Sequence, residues 1–98
     1  MLICRTTGTV VSTMKHESLA SRKLLLVRRC TPDGKAEGDP FVAIDTIGAG
    51  EDEVVIVATG SAARETDGTR SAPVDATIIG IIDSTAVAGK TAFAKGNA

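Results

Sequence analysis

Short apolar runs separated by Gly, Pro and polar clusters predict a chain of β-strands with almost no helix. A clear turn, Pro32-Asp33-Gly34, lies between the second and third predicted strands. In this turn Pro presets φ and Gly accepts a left-handed conformation. Gly8 marks a bulge or bend in the first strand. The segment from Val87 to Ala98 is small and polar around Phe93, and is expected to pair weakly as a strand or to lie across a neighbour. The predicted strands are Leu2–Ser12, Leu24–Cys30, Phe41–Asp45, Val54–Ala58 and Ala76–Asp83.

The sharpest part of the pattern runs from Asp45 to Arg64 and predicts a loop, a buried strand and a short helical turn. The loop and the turn contain positions at which the backbone can adopt a positive φ or approach another chain closely. Ser61 is expected to cap the turn, which ends near Arg64. This stretch holds no nucleophile beside a base and no cluster of metal ligands, so it favours packing and backbone display over catalysis. The glycines are Gly48, Gly50 and Gly60.

Two of the predicted strands, Val54–Ala58 and Ala76–Asp83, are apolar on both faces. A strand in a lone barrel needs only its inward face apolar, because the outward face meets water. Few helical residues are available to cover the second face. We therefore predict one all-β domain spanning residues 1–98, a small and partly closed five-stranded barrel that assembles as a ring-like homo-oligomer.

Composition narrows the function classes. The chain has 98 residues, a formal net charge of −1, two Phe and neither Trp nor Tyr. A thin core follows, since aromatic residues supply the largest buried area per residue. Single-stranded nucleic-acid binding by a barrel uses aromatic platforms in a basic groove, and both are lacking. Cys4 and Cys30 form no metal or redox motif and are expected to be buried, reduced thiols. Without a signal peptide or a membrane-length apolar run, we expect a soluble cytoplasmic protein.

Few residues suggest chemistry. His16 is the only histidine and has no neighbouring partner for catalysis or metal binding. Asp45, Asp75 and Asp83 lie at or near strand ends, where capping of loop N–H groups explains them as well as a carboxylate site does. The segment Gly60–Arg64 could cradle an anion, but an oligomer contact or pore lip, with Arg64 pairing across subunits, is the favoured interpretation.

Beyond these local features, the chain resembles a known family over nearly its whole length. The motifs that carry the resemblance are Gly8-Thr-Val-Val, Thr13-x-Lys15-His16, Lys23-Leu-Leu-Leu-Val, Pro32-Asp-Gly, Val42-Ala-Ile-Asp45, Ile47-Gly-Ala-Gly50, Gly60-Ser-Ala-Ala-Arg64, Pro73-Val-Asp75-Ala and Gly80-Ile-Ile-Asp83. In this order and spacing they resemble the bacterial microcompartment vertex proteins, the EutN/CcmL family of ethanolamine-utilisation compartments and carboxysomes.

The resemblance implies an OB-like barrel that forms pentamers, which plug the five-fold corners of a protein shell tiled by hexamers. An enzyme is the third-ranked interpretation, because the sequence shows no acid–base pair, nucleophile or cofactor motif, so we expect no enzyme activity and no cofactor. Two positions depart from the family pattern, Ala62 for a second Ser and Asp52 for a Gly. The alternative is an OB-fold that binds single-stranded nucleic acid. Residues predicted at a subunit interface or pore loop are Gly48, Ala49, Gly50, Gly60, Ser61, Ala62, Ala63 and Arg64, and Lys15, Arg28 and Arg29 form a solvated face or contact another shell protein.

Overall fold

The computed structural model describes residues 1–13, 22–65 and 74–96, and the regular secondary structure within them is almost entirely β-strand. A single short 3-10 helix, Gly60–Arg64, follows the fourth strand in this part of the chain. The strands are β1 (Leu2–Val10), β2 (Lys23–Arg29), β3 (Phe41–Asp45), β4 (Val54–Thr59), β5 (Ala76–Ile81), β6 (Ser84–Val87) and β7 (Lys90–Ala94).

The first five strands close into a barrel in the order β1-β2-β3-β5-β4. All neighbours are antiparallel except β3 and β5, which are parallel and pair only at Ile44↔Thr77 and Asp45↔Ile78. The register of β1 on β2 shifts between Thr6 and Gly8, which confirms the predicted bulge. The five-stranded barrel is therefore confirmed, and its seam between β3 and β5 is the shortest.

Aliphatic side chains from all five barrel strands fill the core. Leu25, Val57 and Ile78 are fully buried there, together with Cys4 and Ala49. The first four come from strands, in which alternate residues point into the barrel, whereas Ala49 comes from the loop between β3 and β4. A smaller cluster of Ile44, Ala63 and Val74 packs outside the barrel wall, under the 3-10 helix.

The expectation that β4 is covered on both faces is confirmed, but the expectation that another subunit must supply the cover is wrong for this strand. Val54, Val55, Val57 and Ala58 are buried within the single chain, and only Ile56 among the apolar residues is half-buried. The turn at residues 31–35 supplies part of the cover, because a Cβ at Gly34 would lie 3.4 Å from Val54 Cγ2. On β5, Ile79 and Ile81 stay half-buried.

The C-terminal residues form a two-stranded antiparallel hairpin instead of one weak strand. In this hairpin β6 and β7 pair with each other and not with the barrel. Its two-residue turn, Ala88-Gly89, has φ of 51° and 80°, the signs that a type I′ turn requires. The long dimension of the described molecule is 44 Å against 24 and 22 Å for the others.

Candidate functional site

Polar contacts from the end of β3 and the start of β2 fix the conformation of the loop between β3 and β4. Asp45 is 7% exposed and accepts hydrogen bonds from the backbone N–H groups of Ile47 and Gly48 at 3.0 and 3.1 Å. Lys23 Nζ donates to the carbonyl oxygen of Ala49 at 2.8 Å. Asp45 therefore caps loop N–H groups, so the capping interpretation is the one that the geometry favours for this carboxylate.

Two of the predicted loop glycines differ in their backbone. Gly48 has φ of 82° with open space around the position of a Cβ, whereas Gly50 is not in the left-handed region. The Gly50 N–H donates to the Glu53 carboxylate, and a Cβ there would lie 3.0 Å from Glu53 Oε1. Gly48 is thus required by backbone conformation and Gly50 by a close side-chain contact.

Asp52 explains one departure from the family pattern. It lies at φ of 59°, in the left-handed region where Gly is the easiest residue and Asp is tolerated. Its carboxylate accepts a hydrogen bond from Arg5 Nη1 at 2.8 Å. The side chain that replaces Gly thereby ties the loop to β1.

The N-cap of the short 3-10 helix lies two residues earlier than predicted. Thr59 occupies the N-cap position without a side-chain hydrogen bond, so the expectation that Ser61 caps the turn is wrong. The reason is that Gly60, at φ of 62°, turns the chain directly at the end of β4. The helix ends at Arg64 as expected, and Thr77 Oγ1 donates to the Ala63 carbonyl at 2.6 Å to fix it on β5.

The predicted contact residues fall into two groups by exposure. Gly48, Gly60, Ser61, Ala62 and Arg64 are exposed and lie on the two loops. The side chains of Ala49 and Ala63 lie in the chain's own core, both 0% exposed, so only their backbone could reach another chain. Gly50 is half-buried.

The candidate basic residues also differ in their surroundings. Arg64 Nη1 donates to the Val74 carbonyl at 2.9 Å, within the same chain. Arg28 Nε donates to the Gly38 carbonyl at 2.8 Å, and Arg29 is exposed. Lys15 and His16 lie outside the described residues.

An open groove of about 470 Å³ lies beside the exposed loops, at the β3–β5 seam. Its lining residues are Phe41, Val42, Thr59, Gly60, Asp75 and Ala76. The groove exists because β3 pairs with β5 only through Ile44 and Asp45, which leaves the start of β3 without a strand on that side among the described residues. The sequence pattern did not predict this surface. In the structure it is most evident at Val42, an apolar strand residue that is 45% exposed.

Arg5 forms a second junction that sequence reasoning missed. Besides Asp52, its guanidinium donates from Nε to the Gly34 carbonyl at 2.6 Å and lies 5.7 Å from the centre of the Phe93 ring. Lys95 Nζ lies 3.3 Å from Glu53 Oε2, in a cleft that Arg5 and Phe93 also line. The base of the hairpin is completed by a hydrogen bond from Thr85 Oγ1 to the Pro32 carbonyl.

The part of the chain that the structure describes offers no group of His, Cys, Asp or Glu suited to a metal ion. Cys4 and Cys30 are free and buried, as predicted. Burial raises the pKa of the Cys4 thiol to about 11 and also raises the pKa of Cys30. Both thiols are therefore protonated near neutral pH and poor nucleophiles.

Within residues 1–13, 22–65 and 74–96, no helix has the length and apolar character needed to cross a membrane. Both Phe side chains contact other residues of the same chain. Phe41 packs against the barrel core, and Phe93 lies under Arg5. Both side chains are half-buried, and Phe41 also lines the groove at the β3–β5 seam.

Comparison with known proteins places this geometry in a family context. Residues 1–83 match the profile of the family described as "Ethanolamine utilisation protein EutN/carboxysome". The chain is 45% identical over 84 residues to the bacterial microcompartment shell vertex protein GrpN of Rhodospirillum rubrum, covering 86% of this chain and 94% of GrpN. It is 41% identical over 95 residues to the shell vertex protein EutN of Escherichia coli, covering 97% of this chain and all of EutN (100%).

Solved structures agree over the same length. The structure of Gloeobacter violaceus CcmL superposes with a TM-score of 0.91 at 41% identity, covering 99% of this chain and 100% of CcmL. The GrpN pentameric microcompartment shell protein from Rhodospirillum rubrum superposes with a TM-score of 0.79 at 42% identity, covering 89% of this chain and 99% of GrpN.

Proposed function

Because this chain belongs to the EutN/carboxysome family, we propose that it forms a homopentamer that closes the five-fold vertices of a bacterial microcompartment shell in the cytoplasm. The supporting observation is the nearly full-length superposition on Gloeobacter CcmL, at a TM-score of 0.91. The related GrpN structure is described as pentameric. The chain acts as one domain and its role is structural, without catalysis or a cofactor.

Geometry explains why a five-membered ring suits this role. A flat layer of hexameric shell proteins cannot close on itself without five-fold positions. A heterologous contact repeated by a fixed rotation closes into a ring, and five subunits supply such a position. The buried, unreactive thiols and the absence of a metal-ligand group among the described residues fit a protein that works by shape.

Native mass spectrometry and electron microscopy test the proposal together. At micromolar concentration the purified chain should appear as five copies. Shells purified from a strain that lacks the protein should be open at the corners or elongated, and the wild-type chain should restore closed polyhedra. A monomer or dimer as the main species, or closed shells of normal shape in a strain with no other vertex protein, would contradict it.

The two exposed loops, residues 48–50 and 60–64, are proposed to contact neighbouring subunits or to line the axial opening. Arg64 is the residue to test, with Arg28 as the matched control, since each donates to a backbone carbonyl of its own chain. We expect Arg64→Ala to weaken the pentamer and Arg28→Ala to leave it intact. Equal effects would make Arg64 an ordinary surface charge. Arg28, with Arg29 and Lys15, stays a candidate contact for hexameric shell proteins.

A further inference from the structure

The hairpin β6–β7 carries a surface that its own chain leaves uncovered. Val87 and Lys90 are directly opposite each other in the register and therefore share a face. The Val87 side chain is 51% exposed, and Lys90 is exposed beside it. One face near the hairpin tip thus presents an apolar group next to an ammonium group.

Among the described residues, the polar contacts that anchor this hairpin lie at its base, and none lies at its tip. The contacts of Thr85, Phe93 and Lys95 with the barrel lie toward the ends where the strands leave and finish. The hairpin also follows residue 83, where the match to the family profile ends. The contacts at its base fix how the hairpin is oriented on the barrel. Its exposed tip can therefore contact another molecule.

The groove at the β3–β5 seam has the complementary character. Its apolar wall contains Val42 and the half-buried Phe41, and an exposed carboxylate, Asp75, lies on its edge. Among the described side chains, none forms an ion pair with Asp75 or with Lys90. Within the described part of the chain, the start of β3 has no strand partner on the groove side, and such edges pair readily with another strand.

We propose that the hairpin of one subunit seats in the β3–β5 groove of the next copy of this chain, with Val87 against Val42 and Lys90 beside Asp75. Hairpin and groove are different surfaces, so the contact is heterologous and can repeat around a ring. The inference rests on the proposed function, because it assigns the contact that would join the proposed pentamer. Lys90 is the only ionisable residue between Ser84 and Ala94, so no acidic group of the hairpin strands opposes Asp75.

Substitutions on the two surfaces test the contact by native mass spectrometry across a dilution series. Val87→Asp should raise the concentration at which the assembly dissociates by about tenfold or more, since it places a carboxylate in an apolar contact near Asp75. Val11→Asp is the matched control, because Val11 is 98% exposed and lies on neither surface. Lys90→Glu and Asp75→Lys should each weaken the assembly, and the double variant should restore it to within about threefold of wild type.

A mixing experiment identifies the heterologous geometry. Val87→Asp disrupts the contact surface of the hairpin and leaves the groove intact. Val42→Asp disrupts the groove and leaves the hairpin intact. An equimolar mixture of the two should give a mixed dimer and nothing larger, because only one intact hairpin can enter one intact groove. Circular dichroism on each variant confirms that the barrel is still folded.

The outcomes separate this inference from the proposed function. If the wild type is a pentamer and Val87→Asp assembles as well as Val11→Asp does, the hairpin contact is wrong and the pentamer stands. If the wild type assembles in another number and Val87→Asp dissociates it, the contact stands and the pentamer is wrong. A wild type that is monomeric at every concentration overturns both.

Discussion

The barrel and the hairpin are stabilised by different interactions. Residues such as Leu25 and Ile78 in the barrel are fully buried, and every barrel strand pairs with two neighbours. The hairpin pairs only with itself, and none of its residues is in the buried class. Its attachment to the barrel depends on side-chain contacts of Arg5, Thr85 and Lys95.

This difference separates stability from position. Burial of apolar area is the main stabilising term in a small domain, so the barrel carries the free energy of folding. A two-stranded hairpin is marginal alone in water. Its contacts are directional, so they fix where the hairpin points while adding little to global stability. Substitutions in the two regions should therefore change different measurements.

The largest expected effect comes from opening the barrel core. Ile78→Ala removes buried atoms and leaves a cavity, so the free energy of unfolding should fall by about 2–5 kcal/mol. Thr91→Ala, at an exposed position of β7 outside the proposed contact, is the comparison in the hairpin and should cost about 0.5 kcal/mol or less. Chemical denaturation followed by circular dichroism measures both. Comparable losses would show that the two regions share one core.

Arg5 should give the next largest effect, and mainly in the hairpin. Arg5→Met keeps an apolar stem but removes the hydrogen bond to Gly34 and the cation over Phe93, at a cost of about 1–2 kcal/mol. The exposed ion pair with Asp52 adds little to this. Hydrogen exchange should accelerate at β6 and β7 amides and stay near wild type at β4. Arg29→Met, on the neighbouring strand, is the control. Equal acceleration of exchange in this control would show that Arg5 does not specifically anchor the hairpin.

The loop glycines sharpen the comparison within the barrel itself. Gly48→Val places a β-branched residue at φ of 82° and should cost about 1–3 kcal/mol of local strain. Gly50→Val should act through Glu53 instead, by displacing its carboxylate from the loop N–H. The double variant Gly50→Val, Glu53→Ala removes the carboxylate that the larger side chain would contact. It should therefore recover part of the melting temperature that Gly50→Val alone loses. Wild-type melting temperature and oligomer size in both single variants would contradict the loop assignment.

Apolar runs predicted the barrel well, because five strands had side chains that only burial explains. The bounds of β3 match the prediction at both ends, Phe41–Asp45. The hairpin was missed since Ser84–Val87 and Lys90–Ala94 contain mostly Thr, Ala and other small residues, with little hydrophobic signal. Its turn also lacks the Asn-Gly pair that marks hairpins most clearly in a sequence.

The candidate site was predicted less completely for a different reason. The glycines alone placed residues 48–50 and 60–64 in a loop and a turn, but they did not predict that Ala49 and Ala63 are buried. The Arg5 junction joins β1 to residues 34, 52 and 93, and the β3–β5 groove depends on a two-pair seam. Both arise from contacts between distant segments, which no local pattern records.

The smallest expected effect lies at the hairpin turn and tests whether the hairpin is marginal. Ala88 has φ of 51°, where a Cβ is disfavoured, and Asn tolerates this conformation better. Ala88→Asn should therefore stabilise the closed hairpin by about 0.5–1 kcal/mol, slowing hydrogen exchange at β6 and β7 amides. Because the barrel carries the folding free energy, the global denaturation midpoint should stay within error of wild type. A midpoint that rises with hairpin protection would mean that hairpin and barrel unfold as one unit, and the separation of stability from position would fail.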